Sequence, residues 1–191
     1  MEEEKILEVR AYYFVPYNIS QMQMGIQAGH AGWRYARRFS ADNPEIWDFV
    51  DYHETTIILN GGTTNSRRDF DGKSLGTLNQ IADSLLENDI QFSHFEEPDL
   101  NDALTALCFL ADERVFNRKD YPDFLDYIFD VKMYPDARSA TPEQNYIMLK
   151  MQTAEHLQEM FPEYYKEWVR FVGGVKNVFL RDLIKGKELA K

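Results

Sequence analysis

Three carboxylates fall within four positions at Glu96, Glu97 and Asp99, on either side of Pro98. Like charges this close repel, so a water-poor cleft would raise the pKa of one of them and make it a general base. The same residues equally suit a polar turn that ends a strand. Asp99, Asn101 and Asp102 lack the glycine and terminal glutamate of a calcium loop. No zinc spacing, dinucleotide fingerprint or nucleophile motif occurs, so no metal and no cofactor are expected.

A second group lies in residues 22–38, which hold Gly25, Gly29 and Gly32 inside a helical pattern. Each glycine costs about 1 kcal/mol against alanine there. Spaced by four and three, they line one side and allow close approach, most simply of a sheet. Gln27, His30, Arg34 and Arg37 follow the same rotation as a polar stripe. His30 could act as acid, base or phosphate contact, or tie the helix to a strand. Gly61-Gly62-Thr63-Thr64 could cradle an anion with backbone N–H groups, but it lacks the phosphate-loop ending, so a flexible turn is the better reading.

Elements that position these groups follow from periodicity. Residues 6–15 alternate, with Leu7, Val9, Ala11, Tyr13 and Val15 on one side, and predict a strand closed by Pro16. The glycine-bearing helix comes next, with Ser20 near its start, and residues 40–47 read as a loop. Thr55–Leu59 predicts a buried strand, followed by a polar loop over 60–73. Ser74–Glu87 predicts a helix capped by Ser74, and Ile90–Phe95 and Ala103–Leu110 predict two strands. The order β-α-β-α-β-β predicts an α/β fold, a mixed sheet with helices on its faces. Open sheets of this kind gather ligands where strand-end loops converge.

After residue 112 the pattern is helical. Aromatics in 121–134 and 162–171 recur at helical spacing and predict packing rather than base stacking. Thr141-Pro142-Glu143-Gln144 has capping-box form and predicts a helix to about Met160. Pro162 restarts a helix, Gly173-Gly174 breaks it, and Lys176–Lys191 forms a basic amphipathic end. The expected organisation is an α/β domain over residues 1–134 and a helical C-terminal extension over 135–191.

The 191 residues carry a net charge of −11, which disfavours a general nucleic-acid binder. Arg34, Arg37 and Arg38, and separately Arg67, Arg68 and Lys73, still allow a local basic face. No apolar run approaches the roughly 20 residues of a membrane span, and the acidic start has no signal-peptide pattern. A cytoplasmic protein without membrane contact is expected. Cys108, the single cysteine, sits in an apolar run and reads as a small buried hydrophobe.

Together the first strand, the Gln27-x-x-His30-Ala31 helix, the Gly61-Gly62-Thr63 turn and the strand Leu104-Thr105-Ala106-Leu107 resemble the type-2 peptidyl-tRNA hydrolase family. The likeness is nearest to phage-type, divergent relatives with a Glu-Pro-Asp loop, and covers roughly residues 5–130. It implies a four-stranded mixed sheet flanked by helices, and hydrolysis of the ester joining a peptide to the tRNA 3′ ribose. It also implies catalytic roles for His30 and Thr105, for Glu97 or Asp99 as the acidic residue, and for Gln23, which stands where the family has a lysine, with Gln27 as a binding residue. Arg34, Arg37, Arg38, Arg67 and Arg68 become candidate contacts to tRNA. Two other expectations stand beside this one: a non-catalytic module whose cleft or C-terminal helices bind RNA or a protein, and an acidic nucleic-acid mimic.

Overall fold

The computed structural model describes residues 6–129, 147 and 149–191. In β1 (Val9–Pro16) the alternation sends Val9, Ala11, Tyr13 and Val15 to one face and Tyr12 and Phe14 to the other. The first set packs with Ala106, Cys108 and Leu110 of a long later strand and with Phe95 of a shorter one. The second set stacks on Phe109. Burial on both faces puts β1 at the centre of the sheet. It pairs parallel with β2 (Thr56–Gly62) and antiparallel with the long strand, while the short β3 (Ser93–Glu97) pairs antiparallel with that long strand, β4 (Ala103–Asp112). The order is β2-β1-β4-β3, the four-stranded mixed sheet that the sequence predicts.

Helix α1 (Gln21–Phe39) starts where Ser20 and Gln23 cap each other: Gln23 N–H donates to Ser20 Oγ, and Ser20 N–H donates to Gln23 Oε1. Met24, Ala28, Ala31 and Tyr35 repeat at spacings of four, three and four and bury one side of α1 against the sheet. A single turn, α2 (Glu45–Asp48), lies in the loop expected over 40–47. Helix α3 (Thr77–Glu87) covers the opposite face, with Leu78 against Gly61 and beside Phe14.

Three local expectations are corrected. Gly61 and Gly62 belong to β2 rather than to a flexible turn; a Cβ on Gly61 would strike Leu78, and Gly62 has φ of +83°, so both need glycine. Ser74 is buried and donates to Asp83 Oδ2 at 2.7 Å, so Gly76 is the N-cap of α3. The C-terminal helix stops at Ile184, and the tail returns to the sheet. There Asn60 N–H donates to Glu188 O and Ala190 N–H to Ile58 O, at 2.9 and 3.0 Å, covering the outer edge of β2.

Contacts divide the chain into two units, Met1–Glu113 with Asp182–Lys191, and Arg114–Arg181. The boundary expected between 134 and 135 lies outside the described residues, as does the Thr141 capping box. Beyond α4 (Glu113–Phe116), the second unit packs α5 (Phe124–Tyr127), α6 (Ala154–Met160) and α7 (Pro162–Phe171) around Ile128, Leu149, Leu157, Trp168 and Val172. The expected helix to Met160 is interrupted at 151–153, and Thr153 caps α6 afresh. Gly173 and Gly174, at φ of +92° and +105°, end the run before α8 (Val175–Ile184). No helix of the described residues is long and apolar enough to cross a membrane.

The glycines of α1 divide into two kinds, which corrects the reading of all three as close packing on the sheet. A Cβ on Gly32 would sit 2.5 Å from the Tyr13 hydroxyl, whereas Gly25 and Gly29 face open space. Gly32→Ala is therefore expected to destabilise by about 1–3 kcal/mol through overpacking. Gly29→Ala is expected to raise stability of the monomer by about 0.5–1 kcal/mol through helix propensity alone. Urea titration of the two variants reads both signs.

Burial pushes the Cys108 thiol from 9.0 up to about 12, although its hydrogen bond with Tyr13 works the other way. Burial likewise lifts Tyr13 and Tyr35 above the usual phenol range. A raised folded-state pKa contributes stability that is complete below the unfolded value and is lost as pH rises toward the folded one. The urea midpoint should thus fall from about pH 9 upward. Cys108→Ala should remove the first part of that fall.

Candidate functional site

The site begins with the side of α1 that faces β3. Ser93 Oγ donates to Ala31 O at 2.6 Å, Arg34 donates to His94 O at 3.1 Å, and Gln27 meets Glu97. Going forward along β3 therefore goes backward along α1. This antiparallel arrangement places the polar stripe of α1 along an edge strand that ends in carboxylates.

At its centre Gln27 Nε2 donates to Glu97 Oε2 at 2.5 Å. Thr105 Oγ1 donates toward Gln27 Oε1 at 3.2 Å and toward Phe95 O at 3.3 Å, its one proton shared between two acceptors. The order of donors fixes the amide. An ionised carboxylate only accepts, so the Gln27 NH2 must face Glu97 and its carbonyl oxygen must face Thr105. Gln27 and Thr105 are buried, at 5% and 1% exposure, while Glu97 is half-buried. Glu97 Oε1 accepts no hydrogen bond among the described residues. One oxygen of the carboxylate is thus held and aimed, and the other is available to accept a proton from water.

His30 and Arg34, one and two turns further along α1, both rest on Phe95. The imidazole stacks at 4.4 Å with its plane tilted by 17°, and the guanidinium carbon lies 4.5 Å from the ring centre. His30 remains exposed. Beside them Arg34, Arg37 and Arg38 line a cleft of about 340 Å³ with Ser93 and His94. Phe95 is the functional residue that sequence reasoning missed. Its signal was present in the alternation, since it shares a face with Ser93 and Glu97 and points toward α1.

Other candidates lie elsewhere. Gln23 is exposed and its side-chain oxygen is taken by the cap, accepting from both Ser20 N–H and Ser20 Oγ. Asp99 is exposed in the 3-10 turn Pro98–Leu100, two residues past Glu97. Arg68 binds Asp83 of α3 at 3.1 Å and Gly72 O at 2.6 Å, so it belongs to the opposite face of the sheet, and Arg67 is exposed in the same loop. His53 accepts from Val9 N–H at 3.2 Å and is structural, and His156 is exposed beside Glu159. Among the described residues no group of three His, Cys, Asp or Glu side chains could hold a metal ion.

The arrangement suits the attack of water on an acyl carbon. A carboxylate with one anchored oxygen has the form of a general base, and cationic and aromatic groups lie alongside it. No protein-family model matches the chain, and no curated protein sequence matches it.

Proposed function

We propose that this protein is a divergent peptidyl-tRNA hydrolase that works in the cytoplasm, cleaving the ester between a peptide and the 3′ ribose of tRNA. The observation that carries the reading is the Thr105–Gln27–Glu97 chain, in which residues singled out for this chemistry are hydrogen-bonded to one another. Glu97 Oε1 accepts a proton as water attacks the ester carbonyl. The water oxygen bonds to the acyl carbon, the bond to the ribose oxygen breaks, and the proton passes to that oxygen. Gln27 and Thr105 are positioning residues that hold the carboxylate. In this reading His30 and Arg34, stacked on Phe95 on the same side of the helix, donate to the developing oxyanion or to the terminal phosphate. Arg37 and Arg38 extend the same basic rim toward the RNA backbone, which offsets locally the net charge of −11.

A second reading is favoured by Gln23, whose carbonyl is consumed by the helix cap and which brings no cation to the site. In it the same cleft, or the helices of residues 154–184, binds RNA or a protein partner without turnover. The two separate in one experiment. Peptidyl-tRNA is incubated with the parent chain and with Gln23→Lys, and free tRNA is measured. Hydrolysis by the parent, raised further by the lysine, supports the enzyme. Hydrolysis by the lysine variant alone, or by neither, supports the binding module.

A further inference from the structure

The outward side of α1 is apolar. Met22, Ile26 and Trp33 are exposed by 78%, 50% and 79%, although they lie on a helix of 19 residues that buries its other side. Between them Gly25 and Gly29 leave a notch where an added Cβ would meet nothing within 4 Å. This face points away from the side buried by Met24, Ala28, Ala31 and Tyr35. The Gln27–His30–Arg34 stripe runs along its flank, so the face is separate from the hydrolytic cluster.

We infer that this face is a two-fold interface on which a second copy of the chain docks, α1 against antiparallel α1, centred on Gly29. Spacing supports the self-match. Gly25 and Trp33 lie four residues to either side of Gly29, so each Trp33 indole enters the notch at Gly25 of the second copy. Charge supports the antiparallel direction. Helix α1 holds no acidic residue, and its cations Arg34, Arg37 and Arg38 gather at the C-terminal end. Because β3 runs antiparallel to α1, the turn that follows β3, with Asp99 and Asp102, lies by the N-terminal half of α1. A two-fold pairing sets the arginines of each copy beside the carboxylates of the other, while a parallel pairing would set arginines against arginines. The inference does not depend on the hydrolase reading.

Sedimentation equilibrium of the full chain across a concentration series tests it. The expected result is a species of twice 22.5 kDa that dissociates on dilution. A Cβ at position 25 meets nothing within 4 Å, so Gly25→Leu should keep the fold by circular dichroism and sediment as a monomer. Trp33→Ala, at an exposed position, should do the same. The pair Arg37→Glu and Arg38→Glu should weaken association by about tenfold or more, and adding Asp99→Lys should restore it. A parent chain that stays at 22.5 kDa throughout, including one whose Trp33 face instead binds RNA or another protein, overturns the inference, as does a Gly25→Leu or Trp33→Ala dimer as tight as the parent.

Discussion

Glu97→Gln is expected to lower the rate of ester hydrolysis by about 10²–10⁴-fold, the range that a positioned general base contributes. The substitution is nearly isosteric, and the new carbonyl oxygen still accepts from Gln27 Nε2, so the hydrogen-bonded chain to Thr105 persists. What disappears is a basic oxygen at the place now held by Glu97 Oε1. Urea stability should change little, because the side chain is half-buried and its partner stays satisfied. Gln27→Ala should act differently. It frees the carboxylate from its anchor and leaves Thr105 Oγ1 with Phe95 O alone, so it should lower both rate and stability. Comparing kcat with the urea midpoint for the two variants separates the base from its support.

The largest effect on stability is expected in the second unit. Arg181 is 1% exposed and donates to Arg114 O, Tyr121 O and Asp123 Oδ1 at 2.5, 2.9 and 2.8 Å, with its guanidinium 5.6 Å from the Trp168 ring. Arg118 adds a second contact to Asp123 at 2.7 Å and donates to Arg181 O at 3.0 Å. One fork thus satisfies two carbonyls of the 114–123 segment from a helix far away in the chain. Arg181→Met should cost about 3–5 kcal/mol, because it strands those carbonyls and leaves Asp123 with less compensation. Arg181→Lys should recover little, since a single ammonium cannot reproduce the planar fork. Hydrogen exchange across residues 114–181 reads the loss directly, with the sheet of the first unit as internal control.

Much of this architecture is legible in local patterns. Alternation over 6–15 and the apolar run over 103–110 find the two central strands, because a strand buried on both faces reads as a continuous apolar run. The helix at 21–39 is found in spite of its glycines, since Met24, Ala28, Ala31 and Tyr35 hold the apolar side. What a glycine is for cannot be read in the same way. Gly32 and Gly29 are alike in sequence, and only the Tyr13 hydroxyl of another strand distinguishes them. The tail at 188–190 escapes for a similar reason: its partners in β2 are far away in the chain and are met through the backbone.

The site was half legible. Gln27, Glu97 and Thr105 are found by residue type and by resemblance, and the fold joins them. Gln23 is the opposite case. Ser20-x-x-Gln23 has capping-box spacing, a local signal that explains the residue without any role in the site. Phe95 ends the strand predicted over 90–95, but nothing local in the sequence marks its stacking with His30 and Arg34.

Release of free tRNA from peptidyl-tRNA in single turnover, by the parent chain beside Glu97→Gln and Thr105→Val, is the most direct test of the role proposed for the Thr105–Gln27–Glu97 cluster. The expected result is hydrolysis by the parent, a loss of about 10²–10⁴-fold for Glu97→Gln, and a smaller loss for Thr105→Val. No release by the parent, or equal release by the parent and Glu97→Gln, would contradict it.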